Sequence, residues 1–304
     1  MAISKITGSG LGTIVGNVDF NGDMDVDGTA NLDIVDIDGA VNMATTALVT
    51  GVLTANGGAV FNEGSADVDF RVEGNGNANA LFVEGATDQV GIGTNDPARP
   101  LSVFHATAPY VQVANNTSGI AAGDGFQLQL VAADLYQWNY ENGFQRFGTN
   151  NATSMNISAA GEITKPRQPA VQAQVNGTQS NIAAGSLYTI PFATEIFDQG
   201  GNFASNTFTA PVTGKYALSV TATLGGLPLA AEYVQYHIAT SNRNYNVTLD
   251  PDGLDSSPVF WGFNINVLMD MDASDTCIVK LLIEGSVDTL DVFPQTYLSI
   301  HLAC

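Results

Sequence analysis

The run Val18-Asp-Phe-Asn-Gly-Asp-Met-Asp-Val-Asp-Gly28 decides the fold class of the first third of this chain. Its even positions are apolar or small and its odd positions are Asp or Asn, which is the pattern of a strand with one face toward a core and one toward water. After Ile34 the parity shifts by one residue, so that Val35 and Ile37 take the inward positions, as happens at a bulge or corner. The stretch therefore predicts short β-strands joined by glycine corners, which together form a shaft.

A single copy of this shaft has only one layer, and isolated hairpins are marginal in water. The segment must either coil into a solenoid or wrap around copies of itself. A solenoid coil takes some twenty residues, so residues 18–100 would supply only about four coils with two unprotected ends. Three chains bury each inward face directly, and we therefore favour an intertwined trimeric shaft of the β-helix or β-prism kind.

Composition excludes two classes of partner. The 304 residues include nine Lys and Arg against thirty Asp and Glu, for a net charge of −21. Nucleic acids and anionic membrane surfaces both require clustered basic residues, so neither is expected as a partner. No stretch is long and apolar enough to span a bilayer, and the start has no signal-peptide pattern. We therefore expect the protein to be made in a cytoplasm and not exported by the usual route, and we expect no membrane insertion.

The chain divides into four predicted regions. Residues 1–17 are glycine-rich and are expected to form an attachment peg. Residues 18–100 form the shaft, with a second alternating strand at Val68, Phe70 and Val72 and a glycine-proline corner near its end. Residues 101–169 form a β-hairpin collar and a linker. Residues 170–304 form a head.

The collar carries two local signals. Asn142-Gly143 is a strong hairpin turn. Tyr136, Trp138 and Tyr140 alternate along one strand and share a face, which could stack on sugar rings. Packing against other chains is the commoner use of such a stripe, and it is the interpretation we prefer.

The head shows strands and turns at roughly ten-residue spacing, which is typical of a sandwich or jelly roll. Cys277 and Cys304 both fall on the apolar parity of their strands, so buried free thiols are favoured over a bridge. The predicted inward positions are Tyr216, Leu218 and Val220; Val234, Tyr236 and Ile238; Trp261, Phe263, Ile265 and Val267; Cys277, Val279, Leu281 and Ile283; and Leu298, Ile300 and Leu302.

Residues 18–170 resemble the shafts of bacteriophage tail fibres and related virion appendages. The phrases that carry the resemblance are Val90-Gly-Ile-Gly-Thr-Asn-Asp-Pro97, Phe147-Gly-Thr-Asn-Asn151 and Met155-Asn-Ile-Ser-Ala-Ala-Gly-Glu-Ile-Thr-Lys-Pro166. The resemblance implies a virion location and threefold symmetry.

The head is similar to the jelly roll of complement heads and tumour necrosis factors. The similarity lies in Phe197-Asp-Gln-Gly-Gly-Asn-Phe203, in Phe208-Thr-Ala-Pro-Val-Thr-Gly-Lys-Tyr-Ala-Leu-Ser-Val220 and in the closing Thr296-Tyr-Leu-Ser-Ile-His-Leu302. Leu218 and Val220 stand where that family usually has aromatic residues. The resemblance implies a ten-stranded sandwich that forms tight trimers and binds partners through its outer surface.

Candidate binding residues lie in two polar loops of the head. Asn242, Arg243 and Tyr245 belong to one loop, and Asp252 and Asp255 to the other. Loops on a rigid sandwich are where recognition usually takes place, so these residues are the predicted receptor-binding set. By analogy with the family, a Ca²⁺ ion could bind Asp250, Asp252 or Asp255, although ordinary turn formation is preferred.

Neither a metal site nor a catalytic site is expected elsewhere. The calcium-like start Asp23-Met-Asp-Val-Asp-Gly28 has Ile34 where the loop needs its last carboxylate. His105, His237 and His301 are scattered, and no nucleophile or phosphate-loop motif occurs.

The sequence thus predicts an all-β protein, an intertwined trimeric β shaft followed by a C-terminal jelly-roll sandwich, that is not an enzyme and needs no cofactor. We expect a homotrimeric virion fibre that attaches through its N-terminus to a phage tail or capsid protein and presents its head to a host-surface glycan or protein. The alternatives are a capsid-decorating head fibre, a glycan-degrading tailspike and a non-viral adhesin.

Overall fold

The computed structural model describes residues 26–27, 29–30, 32, 34–38, 40–41, 43, 45–62 and 64–304. The chain divides into two units, Met1–Gly64 and Ser65–Cys304. Among the described residues there is no helix that could span a membrane.

The described residues of the first unit contain no strand. Val35 and Ile37, predicted to face inward on a strand, are exposed, and Val52 keeps 90% of its side-chain surface. The strand predicted after Ile34 is therefore absent from these residues, because no described residue gives them a paired strand or an apolar layer to bury against. The predictions for the peg, for residues 19–25 and for the calcium-like start lie almost entirely outside the described residues.

The second unit begins with three small sheets. The first contains β1–β4 in sequence order, the second β5–β7, and the third has the order β10-β9-β8. The strands are β1 (Phe70–Gly74), β2 (Asn77–Glu84), β3 (Gln89–Ile92), β4 (Leu101–Val103), β5 (Tyr110–Val113), β6 (Phe126–Val131), β7 (Asp134–Asn139), β8 (Gln145–Thr149), β9 (Ala152–Ile157) and β10 (Ile163–Thr164).

Two predictions about these sheets have different outcomes. The glycine-proline corner is confirmed, because it joins β3 to β4, which pair in parallel. The hairpin predicted at Asn142-Gly143 is wrong, because β7 and β8, on either side of it, belong to different sheets. A short turn favours but does not enforce pairing, and here the better partners of the two strands lie elsewhere: β6 for β7, and β9 for β8.

Residues 170–304 form an antiparallel two-sheet jelly-roll sandwich, as predicted. One sheet has the order β12-β22-β17-β23-β11-β14 with β20 also on β17, and the other has the order β15-β16-β21-β18-β19 with β13 also on β21. The strands are β11 (Ala170–Gln174), β12 (Gln179–Ala183), β13 (Tyr188–Thr189), β14 (Thr194–Gln199), β15 (Phe203–Ala204), β16 (Thr207–Thr209), β17 (Gly214–Gly225), β18 (Tyr233–Thr240), β19 (Asn244–Leu249), β20 (Trp261–Met271), β21 (Thr276–Glu284), β22 (Thr289–Val292) and β23 (Tyr297–Leu302), and a 3₁₀ turn covers Pro251–Gly253.

The predicted inward positions of the head form its core. Most are fully buried, and Trp261, Phe263, Val267 and Leu302 pack against it with part of their surface exposed. Each fully buried large side chain stabilises the fold by roughly 1.5–3 kcal/mol. Cys277 is a buried free thiol, as predicted, but Cys304 is exposed. The second half of that prediction is wrong because β23 ends at Leu302, so strand parity no longer applies two residues later.

The linker reaches the sandwich at one of its two ends, which are named here the linker end and the far end. The linker end is where β11 begins: Ala170 pairs with His301, and Gly214 pairs with Met271. There Gln168 donates its side-chain amide to the Leu302 carbonyl at 2.6 Å, which attaches the linker to the head. The far end is where Tyr233 pairs with Glu284.

Candidate functional site

Three of the predicted binding residues converge on Asp270 at the linker end. The Arg243 guanidinium lies 2.5 Å from Asp270 Oδ2, and the Tyr245 hydroxyl donates to Oδ1 at 3.0 Å. The Asn242 amide donates to the Asp270 backbone carbonyl at 3.1 Å. Asp270 is on β20 of one sheet, whereas the other three residues come from the β18–β19 hairpin of the opposite sheet. The group therefore closes the linker end of the sandwich.

The electrostatics of this group keep Asp270 ionised. The hydrogen bond from Tyr245 is the main reason why the pKa of Asp270 is held below its usual range. The pKa of Tyr245 is raised, first by burial and then by the same hydrogen bond. Both oxygens of the carboxylate are thus occupied by this chain, which indicates a structural role for the contacts. Sequence reasoning missed Asp270, and its polar position on a strand beside the Lys215 of β17 was the available signal.

Asp252 and Asp255 lie at the far end. Asp250 caps the 3₁₀ turn, since its Oδ1 accepts from the backbone amide of Asp252 at 3.0 Å. This contact confirms turn formation as a role for Asp250. Among the described residues, no group of three or more His, Cys, Asp and Glu side chains is placed to hold a metal ion.

The five predicted residues therefore form two groups and not one site. Asn244 pairs with Ala239 near the linker end, and Leu249 pairs with Val234 near the far end. The six residues of β19 separate the groups by about 20 Å at roughly 3.3 Å per residue.

The far end also carries exposed apolar side chains that sequence reasoning missed. Val259 and Phe260 are exposed, and Val287, in the loop before β22, keeps 98% of its surface. Phe260 packs on Phe293 with ring centroids 5.1 Å apart. The Ser257 hydroxyl donates to the Leu227 carbonyl at 2.8 Å and joins two of the loops. The far end is thus an apolar tip with Asp252 and Asp255 in the segment before it.

The outer face of the sheet that contains β17 is uncharged along its three central rows. A shallow depression of about 400 Å³ lies in it, and its exposed apolar residue is Leu268 on β20. Small side chains fill its centre. The rows are Leu268, Ala217, His301, Ala170 and Gln199; then Asn266, Ser219, Ser299, Gln172 and Phe197; then Asn264, Thr221, Tyr297, Gln174 and Thr194.

The sheet β5–β7 of the collar carries the predicted aromatic stripe. The rings of Tyr136 and Trp138 are nearly parallel with centroids 5.9 Å apart, and the Trp138 and Tyr140 centroids are 6.3 Å apart. The three rings therefore share one face, as predicted.

No family model and no curated protein matches this chain. Among solved structures, the globular domain of zebrafish complement 1qA is similar, at 14% identity and a TM-score of 0.34 over 45% of this chain and 98% of that chain. Murine APRIL is similar at 10% identity and a TM-score of 0.34, over 44% of this chain and 98% of that one. The vertex protein P5 of PRD1 is similar at 13% identity and a TM-score of 0.33, over 44% of this chain and 96% of that one. At these identities and TM-scores, the similarities assign neither a family nor an activity to this chain.

Proposed function

We propose that this chain is a structural fibre of a virus particle. Three copies assemble, the N-terminal region docks to a tail or capsid protein, and the sandwich is presented to a host surface. The phage-fibre phrases of the first half support the viral location, and the surfaces described below support the assembly.

The uncharged outer face of the sheet that contains β17 is the observation that carries the assembly. The chain has a net charge of −21, so copies repel one another wherever their carboxylates meet. On this face the central rows have no carboxylate, and small residues such as Ala217 and Ser219 let another backbone approach closely. The outer face of the opposite sheet is different, because Lys280 and Glu284 lie on it. The first face is therefore the interface that the proposal assigns to the copies of the head.

The collar supports the same assembly. Val111, Val113 and Leu135 are exposed on one face of the sheet β5–β7 in the single chain. Burying such a side chain completely contributes roughly 1.5–3 kcal/mol. Copies of the chain can cover this face, and with it the exposed apolar residues of the first unit.

The mass of the full chain in solution tests the assembly. The chain has a mass of 31.7 kDa, and we expect a particle of about 95 kDa because a closed trimer has three identical subunits. Light scattering coupled to size exclusion gives the mass independently of shape. A stable monomer at micromolar concentration would contradict the proposal.

Adhesion is assigned to the far end of the sandwich. The linker is attached at the opposite end, where Asn242 and Arg243 lie, so the proposal now places host contact on the apolar tip with Asp252 and Asp255. We expect Phe260→Ser to reduce binding of the protein to host cells, and Arg243→Ala at the linker end to leave it unchanged. Equal binding by Phe260→Ser and the parent protein argues against this part.

The proposal contains no catalytic step. Incubating the purified protein with host polysaccharide and measuring chain length tests this directly, since shortened chains would indicate a glycan-degrading spike. Electron microscopy of particles in which this protein is labelled tests where its N-terminal region docks. Label at the tail indicates a tail protein as the partner, and label on the shell indicates a capsid protein.

A further inference from the structure

The sheet β5–β7 has two faces of different chemistry. Residues that pair across strands point to the same face. One face, called here the aliphatic face, carries Val111, Val113, Phe126, Leu128, Leu130 and Leu135, with Gln137 and Asn139 at its β7 side. The other, called the aromatic face, carries Tyr110, Gln112, Gln127, Gln129, Tyr136 and Trp138, with Val131 and Asp134 in the row beside the turn, and Tyr140 extends it. The two faces are therefore suited to different partners.

The aliphatic face is the one that copies of the chain cover best. Its exposed side chains are apolar except for Gln137, so burying them leaves few hydrogen bonds unmade. The aromatic face carries tyrosine hydroxyls and glutamine amides, and burying these against another copy costs free energy unless each finds a partner. A single-layer sheet beside a threefold axis turns one face inward. We expect that to be the aliphatic face, which leaves the aromatic face outside, in contrast to the packing role that the sequence alone favours for the stripe.

Part of the aromatic face is covered by the loop 114–125. Gln127 is only 4% exposed, and its amide donates to the Ala122 carbonyl at 2.6 Å. The Gln112 amide donates to the carbonyls of Ala121 and Asp124 at 2.8 and 2.9 Å. Both contacts hold the loop on the row Gln112-Gln127-Trp138, next to Trp138, whose ring stays 45% exposed. The aromatic face is thus built before any ligand arrives.

Gly125 makes the return of this loop possible. Its φ is +71°, and a Cβ there would lie 2.5 Å from the Val113 carbonyl oxygen, so any other residue is strained at this point. Gly125 also donates its amide to Glu141 at 2.8 Å and accepts from the Tyr140 amide at 3.0 Å. The loop and the end of the aromatic stripe are therefore held together.

We propose that the aromatic face of β5–β7 is a binding platform for a neutral oligosaccharide. The inference rests on the proposed function, since it names a ligand class for the adhesion assigned there and a second site for it. Trp138 is 45% exposed, and Tyr110 and Tyr140 are exposed as well, so their rings offer apolar surfaces to the C–H faces of sugar rings. Gln129 lies between Tyr110 and Tyr136 in one cross-strand row, and its amide can both donate to and accept from a hydroxyl.

The charge of the platform selects an uncharged glycan. Within the rows Tyr110-Gln129-Tyr136 and Gln112-Gln127-Trp138 there is no carboxylate or cation, and the one carboxylate in the adjacent row of this face, that of Asp134, would repel an anionic ligand. The whole chain is acidic, so an anionic polysaccharide is repelled at long range. A neutral hexose chain is not repelled in this way.

The experiment uses the full-length protein with four neutral hexasaccharides, those of α-glucose, β-glucose, mannose and N-acetylglucosamine, and with hexagalacturonate as the anionic comparison. Binding is measured by calorimetry and by tryptophan emission. The chain has two tryptophans, Trp138 and Trp261, so the variant Trp261→Phe leaves emission from the platform alone. We expect at least one neutral hexasaccharide to bind and to change this emission, and hexagalacturonate not to bind.

Three residues of β7 provide the matched variants, two on the aromatic face and one on the aliphatic face. We expect Tyr136→Ala and Trp138→Ala each to weaken the hexasaccharide affinity about tenfold or more with unchanged mass in solution. Leu135→Ala, on the aliphatic face, is expected to leave the affinity within about twofold.

Three results would overturn the inference: no neutral hexasaccharide binds at millimolar concentration, binding survives Trp138→Ala, or Trp138→Ala dissociates the assembly because another copy covers the face. The proposed function fails separately. It is contradicted if the parent protein is monomeric or does not adhere to host cells. If Trp138→Ala is trimeric, does not bind a hexasaccharide and still adheres to host cells as well as the parent protein does, only the platform is contradicted.

Discussion

The head and the collar use similar strands but differ in what a single chain can bury. In residues 65–169 the one buried hydrophobic side chain among those described is Phe82, and the other buried hydrophobic side chains of the described residues belong to the head. The head has two sheets that face each other, so each inward residue finds a partner in the same chain. Residues 65–169, the end of the shaft and the collar, form three separate sheets of one layer each. Similar β patterns therefore yield a self-sufficient domain in one region and an incomplete one in the other.

The head core is complete without a neighbour. In the assembly that we propose, copies add contacts on the outer face of the head, and they supply the apolar layer that the collar lacks. The variants below test this contrast between the two regions.

The largest effect is expected from Ser219→Asp at the centre of the uncharged outer face. In a trimer three new carboxylates become buried at once, and an unpaired buried ion costs several kcal/mol. We expect the mass in solution to fall to that of one chain while the head stays folded. Asn246→Asp adds the same charge to the outer face of the opposite sheet and should leave the mass unchanged. If both variants remain trimeric, the interface lies elsewhere.

Phe208→Ala tests the completeness of the head core. Phe208 is fully buried and meets the Tyr216 ring edge-on at 5.3 Å between centroids. Removing such a side chain leaves a cavity and costs about 3–5 kcal/mol. Denaturant unfolding followed by Trp261 emission in a Trp138→Phe background measures the loss. Phe144→Ala, at an exposed collar position, is the control, and an equal loss in both variants would contradict the contrast between the regions.

Two tyrosines of the core are expected to respond in opposite directions to the removal of their hydroxyls. The Tyr216 hydroxyl donates to the Val212 carbonyl at 2.7 Å, so Tyr216→Phe should lower the free energy of unfolding by about 1 kcal/mol. The hydroxyl of Tyr236 is buried and finds no hydrogen-bond partner among the described residues. Tyr236→Phe should therefore leave stability unchanged or raise it by about 1 kcal/mol. The same denaturant measurement decides, and a clear loss for Tyr236→Phe would indicate a hidden partner.

The smallest effect concerns His237 on the outer face of the head. Burial, and then the nearby Lys280, lower its pKa, and its Nε2 atom has no hydrogen-bond partner within the described residues. The folded state thus binds its proton less readily than the unfolded chain, so stability is full above the unfolded pKa of about 6.5 and declines as the pH falls through that value toward the folded pKa. Between the folded and the unfolded pKa of His237, the thermal unfolding temperature of His237→Gln should depend less on pH than that of the parent protein. His301→Gln, at an exposed position, should behave as the parent does.

Strand parity predicted the head well because it is a local property. Val279 and Leu281 alternate with Lys280 and Leu282, and in a two-sheet sandwich that alternation alone determines which side chains are buried. The same reasoning failed at Cys304, where the strand had already ended, and at Asn142-Gly143, where partners distant in sequence took both strands.

The candidate site depended on contacts that no local pattern contains. Arg243 and Asp270 are 27 residues apart and lie on opposite sheets, so their ion pair follows from how the sheets pack. Asp252 is far from Arg243 because the extended strand β19 lies between them. The sequence indicates this strand only if residues 241–243 are recognised as a hairpin turn. The apolar tip at Val287 was missed because an isolated valine in a loop has no periodicity.

The two thiols provide a way to label this protein at one position. Burial raises the pKa of Cys277 to about 12, which keeps it protonated and unreactive at neutral pH. Cys304 is exposed, while its backbone carbonyl accepts from the Lys215 amide at 2.7 Å and holds it beside the first residues of β17. A maleimide dye or gold cluster added to the native protein would attach there alone, and so would mark the linker end of each sandwich.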